Sequence, residues 1–280
     1  MPTTARRRNT TLDSHSIPTQ TPVAVDLSRF EGDPNFVLSL ARGLRVIESF
    51  DGRKEGITIA DAARSTGLSR AAVRRLLITL ELLGYAEARG RNYRLRSRVL
   101  SLGYSFISST SLAMAAQPVL DHISETIHES SSISVLDGDD IVYIARSSVH
   151  RLISVDLSIG SRLPAYCTSM GRVLLAGLSD AELAEYLERI RPRAYTARTV
   201  TGKTQLKEII LRVRKDGYAL ADEELELGLH SVSVPIVNSQ GRTVAAINIG
   251  APAQRVSRKQ LDRFLRLLHE AARTLGHAVS

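Results

Sequence analysis

The stretch between Thr58 and Gly84 restricts the chain more than any other, because its punctuation allows only short helices in close succession. Thr58-Ile59-Ala60-Asp61 has the pattern of a capping box, in which the threonine hydroxyl accepts from an early amide and the acid three positions on reaches back. The helix so begun runs to Ser65 or Thr66, where Gly67 supplies a left-handed turn. Ser69 is then a good N-cap for a further helix. Val73, Leu76, Leu77, Leu80 and Leu83 place the apolar stripe of that helix on one side, Ala71, Arg74 and Arg75 fall on the other with Arg70 flanking, and Gly84 ends it. Upstream, Leu40, Leu44, Ile47 and Phe50 recur at helical spacing up to Asp51-Gly52. Downstream, residues 85–95 read as two short strands around a turn at Gly90. Helix, short helix, glycine turn, arginine-faced helix and basic hairpin together make a winged helix-turn-helix, whose third helix suits the major groove while the hairpin flanks the phosphates.

Charge indicates what such a unit would meet. The 280-residue chain carries a formal charge of +8, yet residues 1–110 hold 17 Lys/Arg against 10 Asp/Glu, whereas residues 111–280 hold 20 against 19. Within residues 64–98 nine arginines face only Glu81 and Glu87. A charge run taken alone is as readily a solvated face as a binding surface. Built on a helix-turn-helix, it acquires a partner: arginine can bond guanine or phosphate through its planar fork, and a helix N-terminus favours phosphate. The expected contacts with double-stranded operator DNA are Thr58, Ser69, Arg70, Ala71, Arg74 and Arg75 on the helices and Arg89, Arg91 and Arg94 on the hairpin.

The rest of the chain divides around this unit. Residues 1–34 lack apolar periodicity and read as a disordered basic tail, 35–96 as the DNA-binding domain, 97–111 as a linker helix that also pairs with a partner, and 112–280 as a second domain. Strand patterns at 133–136, 141–146, 152–157, 218–223, 231–237 and 243–250 alternate with helical patterns at 112–129, 168–190, 204–216 and 257–278. Hairpin-joined strands with helices between them indicate an α+β sensor-like domain rather than a doubly wound parallel sheet. No apolar run is long enough to span a membrane and the N-terminus lacks the apolar region of a signal peptide, so a cytoplasmic protein is expected. The single cysteine, Cys167, excludes an internal disulfide and a multi-cysteine metal site. The Asp137-Gly138-Asp139-Asp140 turn lacks the downstream glutamate of a calcium loop, and neither metal nor cofactor is inferred.

The most pointed segment of the second domain is residues 160–172, a loop that enters a helix. Its small and hydroxylated residues leave the amides of Ser169, Met170 and Gly171 open toward an anion, and a carboxylate would suit them; a merely capped, glycine-softened helix start is the plain alternative. Cys167 invites a nucleophile reading, but none of the seven histidines stands at a companion spacing, which favours a buried structural thiol. Asp222-Glu223-Glu224-Leu225-Glu226 reads as a solvated or interface acidic run rather than a pair for acid/base work. No catalytic residues assemble. A regulator is therefore expected, with an enzyme using Cys167 or Ser169 and a ligand-free architectural protein as the alternatives.

Residues 36–278 resemble the IclR-type bacterial transcriptional regulators. The resemblance rests on the order of Leu44-Arg45-Val46-Ile47, Ile59-Ala60-Asp61-Ala62-Ala63, Gly67-Leu68, Leu83-Gly84-Tyr85, Gly160-Ser161-Arg162-Leu163-Pro164, Gly171-Arg172-Val173-Leu174-Leu175-Ala176, Asp216-Gly217-Tyr218 and Val234-Pro235-Ile236. Thr168-Ser169-Met170-Gly171-Arg172 and Glu224-Leu225-Glu226-Leu227-Gly228-Leu229 are similar to the branch governing protocatechuate, 4-hydroxybenzoate and β-ketoadipate catabolism, the Pca and Pob regulators. The resemblance implies a winged helix-turn-helix, a linker helix that helps dimerise, a GAF/PAS-like effector domain and assembly as a homodimer or dimer of dimers. It carries effector contacts onto Ser169 and Met170, a lining onto Leu152, Val155 and Leu163, and strand positions onto Leu229, Ser231, Ser233 and Asn248, around the loop Cys167-Thr168-Ser169-Met170-Gly171. Ala221 stands where the glyoxylate-responsive regulators carry an aspartate, which argues against glyoxylate and for an aromatic or keto-dicarboxylic acid effector.

Overall fold

The protein is described here from a computed structural model covering residues 26–30, 32–50, 56–103, 111–149 and 157–279. The N-terminal domain contains α1 (Leu38–Glu48), β1 (Ile57–Thr58), α2 (Ile59–Thr66), α3 (Arg70–Leu82), β2 (Ala86–Arg89) and β3 (Asn92–Leu95). The capping box at Thr58 and Asp61 is present, Gly67 adopts a left-handed conformation with φ of 72°, and the Ser69 hydroxyl accepts from the Ala72 amide. Val46, Ile57, Ala62, Val73, Leu77, Leu80 and Ala86 are buried together as a small core. The hairpin expected at 85–95 gains a third strand, in the order β1-β3-β2. Two residues are too short a run to show alternation, which is why β1 carried no sequence signal. The stretch expected to be a structureless tail up to residue 34 is ordered near its end. Leu27–Phe30 forms a 3-10 turn, and Phe30 stacks on Phe36 with ring centroids 4.5 Å apart. Of the expected linker helix, residues 100–103 are helical, and 104–110 lie outside the described residues.

The second domain is built on one six-stranded antiparallel sheet: β4 (Ser130–Asp137), β5 (Asp140–Ser147), β6 (Arg162–Pro164), β7 (Ala219–Asp222), β8 (Leu229–Val237) and β9 (Thr243–Pro252), in the order β6-β5-β4-β9-β8-β7. One face is covered by α4 (Ser111–Ile127) and α8 (Arg258–His277), which bury Leu120, Ile123, Phe264 and Leu268 against Ile133, Val234, Ile247 and Ile249. The other face carries α5 (Ser169–Ala176), α6 (Asp180–Arg189) and α7 (Lys203–Asp216). The helix expected over 168–190 is two helices, because Ser179 and Glu182 form a new capping box after Gly177. The strand expected at 152–157 lies outside the described residues up to Asp156. The Asp137–Asp140 turn is neutralised by arginines: Arg162 pairs with Asp137 and Asp140, and Arg189 with Asp139.

Candidate functional site

The basic face of the N-terminal domain follows from how α3 is packed. With Val73, Leu77 and Leu80 turned into the core, Ser69, Arg70, Ala71, Arg74 and Arg75 are all exposed along the opposite side. Among the described residues, no carboxylate pairs with Arg70, Arg74 or Arg75, so their guanidinium groups are open to an anion. The hairpin arginines differ from one another. Arg89 pairs with Glu87 at 2.6 Å, Arg91 is exposed on the turn, and Arg94 is half-buried with a buried Nε that lacks a partner. Thr58 is engaged in its cap, its hydroxyl donating to Asp61 at 2.6 Å. Arg98 lies over the Tyr85 ring, 5.2 Å from its centre, and packs the end of the hairpin.

The second domain holds a cavity of about 400 Å³ between the open face of its sheet, the N-terminal end of α5 and the loop at 223–228. Eight of the residues expected to contact an effector line it: Leu163, Cys167, Thr168, Ser169 and Met170, with Leu229, Ser231 and Asn248 from the far strands. Three polar side chains form a chain across its floor. Ser169 Oγ and Ser231 Oγ are 2.6 Å apart, and Asn248 Nδ2 donates to Ser231 Oγ at 3.0 Å. Two expected residues are placed differently. Ser233 lies deeper, fully buried, its hydroxyl donating to the Ile247 carbonyl at 2.8 Å. Gly171 does not leave its amide open, because that amide donates to Thr168 Oγ1 at 3.1 Å as part of the helix cap. Leu152 and Val155 lie outside the described residues.

Sequence reasoning missed Arg146. Strict alternation from Tyr143, which faces the cavity, would send Arg146 to the opposite face of the sheet. A bulge intervenes: Ser134 pairs with Tyr143 but Ile133 with Ala145, so Ile144 and Ala145 both join the core under α4 and Arg146 returns to the cavity side. Its Nη1 donates to Ser132 Oγ at 3.2 Å. Burial pushes its pKa below the usual arginine value, and among the described residues no carboxylate pairs with it.

One residue of the acidic run at 222–226 departs from expectation, while Asp222 stays exposed. Rather than standing in solvent, Glu224 is buried and accepts two bonds from Arg172 of α5, at 2.5 and 2.7 Å, and one from the Val200 amide at 3.1 Å. Arg172 in turn donates to the carbonyls of Tyr166 and Leu220. Thr196 and Thr199 donate to the Glu223 and Glu224 carbonyls at 2.7 and 2.6 Å, so the loop that roofs the cavity is held at its base from two sides. Periodicity gives no signal for a pair 52 residues apart.

Residues 39–90 match the IclR helix-turn-helix domain, and residues 104–277 match the family described as bacterial transcriptional regulator IclR C-terminal. The chain belongs to the IclR family. This IclR regulator is 51% identical over 253 residues to the Pca regulon regulatory protein of Pseudomonas putida, covering 90% of this chain and 87% of that one. It is 35% identical to the p-hydroxybenzoate hydroxylase transcriptional activator of Acinetobacter baylyi, covering 88% of this chain and 93% of that one. Among solved structures it is similar to an IclR homolog from Microbacterium hydrocarbonoxydans complexed with 4-hydroxybenzoate, at 26% identity and a TM-score of 0.76 over 86% of this chain and 98% of that one. The regulator therefore stands in the Pca/Pob branch, as a DNA-binding transcription factor and not an enzyme. Cys167 accords with that: it is fully buried, its thiol donates to the Pro164 carbonyl, and burial pushes its pKa up to about 12, far from a thiolate nucleophile. No helix of the described residues is long and apolar enough to cross a membrane.

Proposed function

We propose that this regulator controls genes of aromatic-acid catabolism, binding operator DNA through α3 and the hairpin and a small organic acid in the cavity of its second domain. Arg146 carries the reading. A half-buried guanidinium on a cavity floor, without a carboxylate partner among the described residues, is disfavoured by desolvation until an anion joins it. The amides of Ser169 and Met170, in the first turn of α5, have no intrahelical acceptor and add partial positive charge to the same cavity. Protocatechuate, 4-hydroxybenzoate and β-ketoadipate are the candidate effectors; the 4-hydroxybenzoate complex of the Microbacterium homolog supports this class. The exposed Leu40 and Leu44 of α1 and Leu100 and Leu102 beyond the hairpin offer an apolar surface for a second copy, which supports a homo-oligomer, a homodimer or dimer of dimers; a DNA-binding role accords with work in the cytoplasm.

Calorimetric titration with the three acids tests the reading. At least one is expected to bind the intact protein, and Arg146→Leu is expected to lower its affinity by about thirty-fold or more while leaving DNA retardation without effector in place. Unchanged affinity in the variant would remove Arg146 from the site.

A further inference from the structure

Resting on the reading of this cavity as an acid-binding site, we infer that Glu129 opposes the charge of the bound acid and is pressed by it onto Arg255, which draws the C-terminal end of α4 toward α8. Glu129 stands at a junction. α4 ends at Ile127, His128 turns the chain with a left-handed φ of 56°, and β4 begins at Ser130, so Glu129 is the last residue before the sheet. It is more than nine-tenths buried, lines the cavity, and pairs with Arg255 at 3.5 Å. A carboxylate in the wall of a cavity that takes an anion feels occupancy directly, as repulsion between like charges.

Arg255 belongs to a second junction. It closes the 3-10 turn Ala253–Arg255, between β9 and α8, and its side chain is 57% exposed and so has room to move. β9 lies beside β4, with Ser130 opposite Gly250, so the two junctions face each other at one end of the cavity, where Pro252 and Gln254 also line it. Arg263 of α8 donates to the Thr126 carbonyl in the last turn of α4 at 3.2 Å. The end of α4 is thus held by two cations from one segment, one through its last turn and one through the residue that meets the cavity.

The Glu129–Arg255 contact can tighten. At 3.5 Å it is longer than a close charge-assisted hydrogen bond, which spans about 2.7–2.9 Å. Ser132, which takes the bond from Arg146, follows Glu129 by three residues, or about 10 Å of extended strand. A carboxylate held by Arg146 therefore lies within the field of Glu129, and buried charges at that range are screened far less than exposed ones. Moving the Glu129 carboxylate toward Arg255 relieves the repulsion, and the end of α4 moves with it.

The experiment titrates 4-hydroxybenzoate, protocatechuate and β-ketoadipate into the intact protein, into Glu129→Gln and into Arg255→Met, and follows amide hydrogen exchange over residues 121–129 with and without each acid. Removing the opposing charge is expected to raise acid affinity about three-fold or more, and removing its counter-cation to lower it by about the same factor. Acid is expected to slow exchange over residues 121–129 in the wild type and to leave it unchanged in both variants. A pair that merely held the fold together would weaken binding in both variants. That result, or unchanged affinity in Glu129→Gln, overturns the inference and leaves the cavity standing as an acid site. Slowed exchange in both variants overturns it as well. Failure of all three acids to bind the wild type overturns the acid-site reading and the inference together. If one variant does not fold, the sign of the change in the other decides.

Discussion

Gly171 shows how closely the cavity is defined by single atoms. A Cβ built there would run into the backbone of Ala165, including its carbonyl oxygen, so the first turn of α5 can lie against the preceding 3-10 turn only with glycine at this position. Gly171→Ala is expected to destabilise the protein by about 1–3 kcal/mol, read from the urea midpoint, because the turn must shift away from a backbone that cannot yield. The glycine was visible in the sequence, but for a different reason: an open amide was expected where the structure has a capped one and a close contact. Ser169, Met170, Ser231 and Asn248 were legible because the family resemblance carries them, whereas Arg146 was not. Its side depends on a one-residue bulge, and nothing in Tyr143-Ile144-Ala145-Arg146 distinguishes a bulged strand from a regular one.

At the scale of elements, helix starts were the most readable features. Ser and Thr caps at Thr58 and Ser69 act locally, through bonds to amides three residues away, and α2 and α3 begin where those residues place them. Links between distant elements left no such trace. The Arg172–Glu224 pair fastens α5 to the loop at 223–228, and both side chains are buried. Glu224→Ala would strand a buried guanidinium, and a loss of about 3–5 kcal/mol is expected on urea unfolding. The paired change Arg172→Met with Glu224→Leu is expected to recover most of that stability, since apolar side chains of similar volume replace a desolvated ion pair. Hydrogen exchange then separates stability from positioning: amides of residues 223–228 should exchange faster in the paired variant even where the global midpoint is restored.

For the whole molecule, the governing feature is the segregation of charge from cavity. The excess of arginine belongs to the DNA-binding domain, and the second domain is nearly neutral. DNA affinity is accordingly expected to fall steeply between about 50 and about 200 mM salt through counterion release. Replacing both Arg74 and Arg75 by alanine should reduce the slope of log affinity against log salt by about 2 if both reach phosphate, whereas retained slope with relaxed operator preference would place them on base edges. The pleat of β4 joins the two ends of this arrangement. Ser132 points to the cavity and takes the bond from Arg146, while its neighbour Ser131 points the other way, donating to the Leu120 carbonyl of α4 at 2.9 Å and lying 2.9 Å from Ser124 Oγ of the same helix. A single peptide unit, about 3.4 Å of chain, thus separates the residue bonded to Arg146 from the residue gripping the helix that follows the linker. Any displacement at Arg146 therefore has only one peptide unit to cross before it meets a hydrogen bond to that helix.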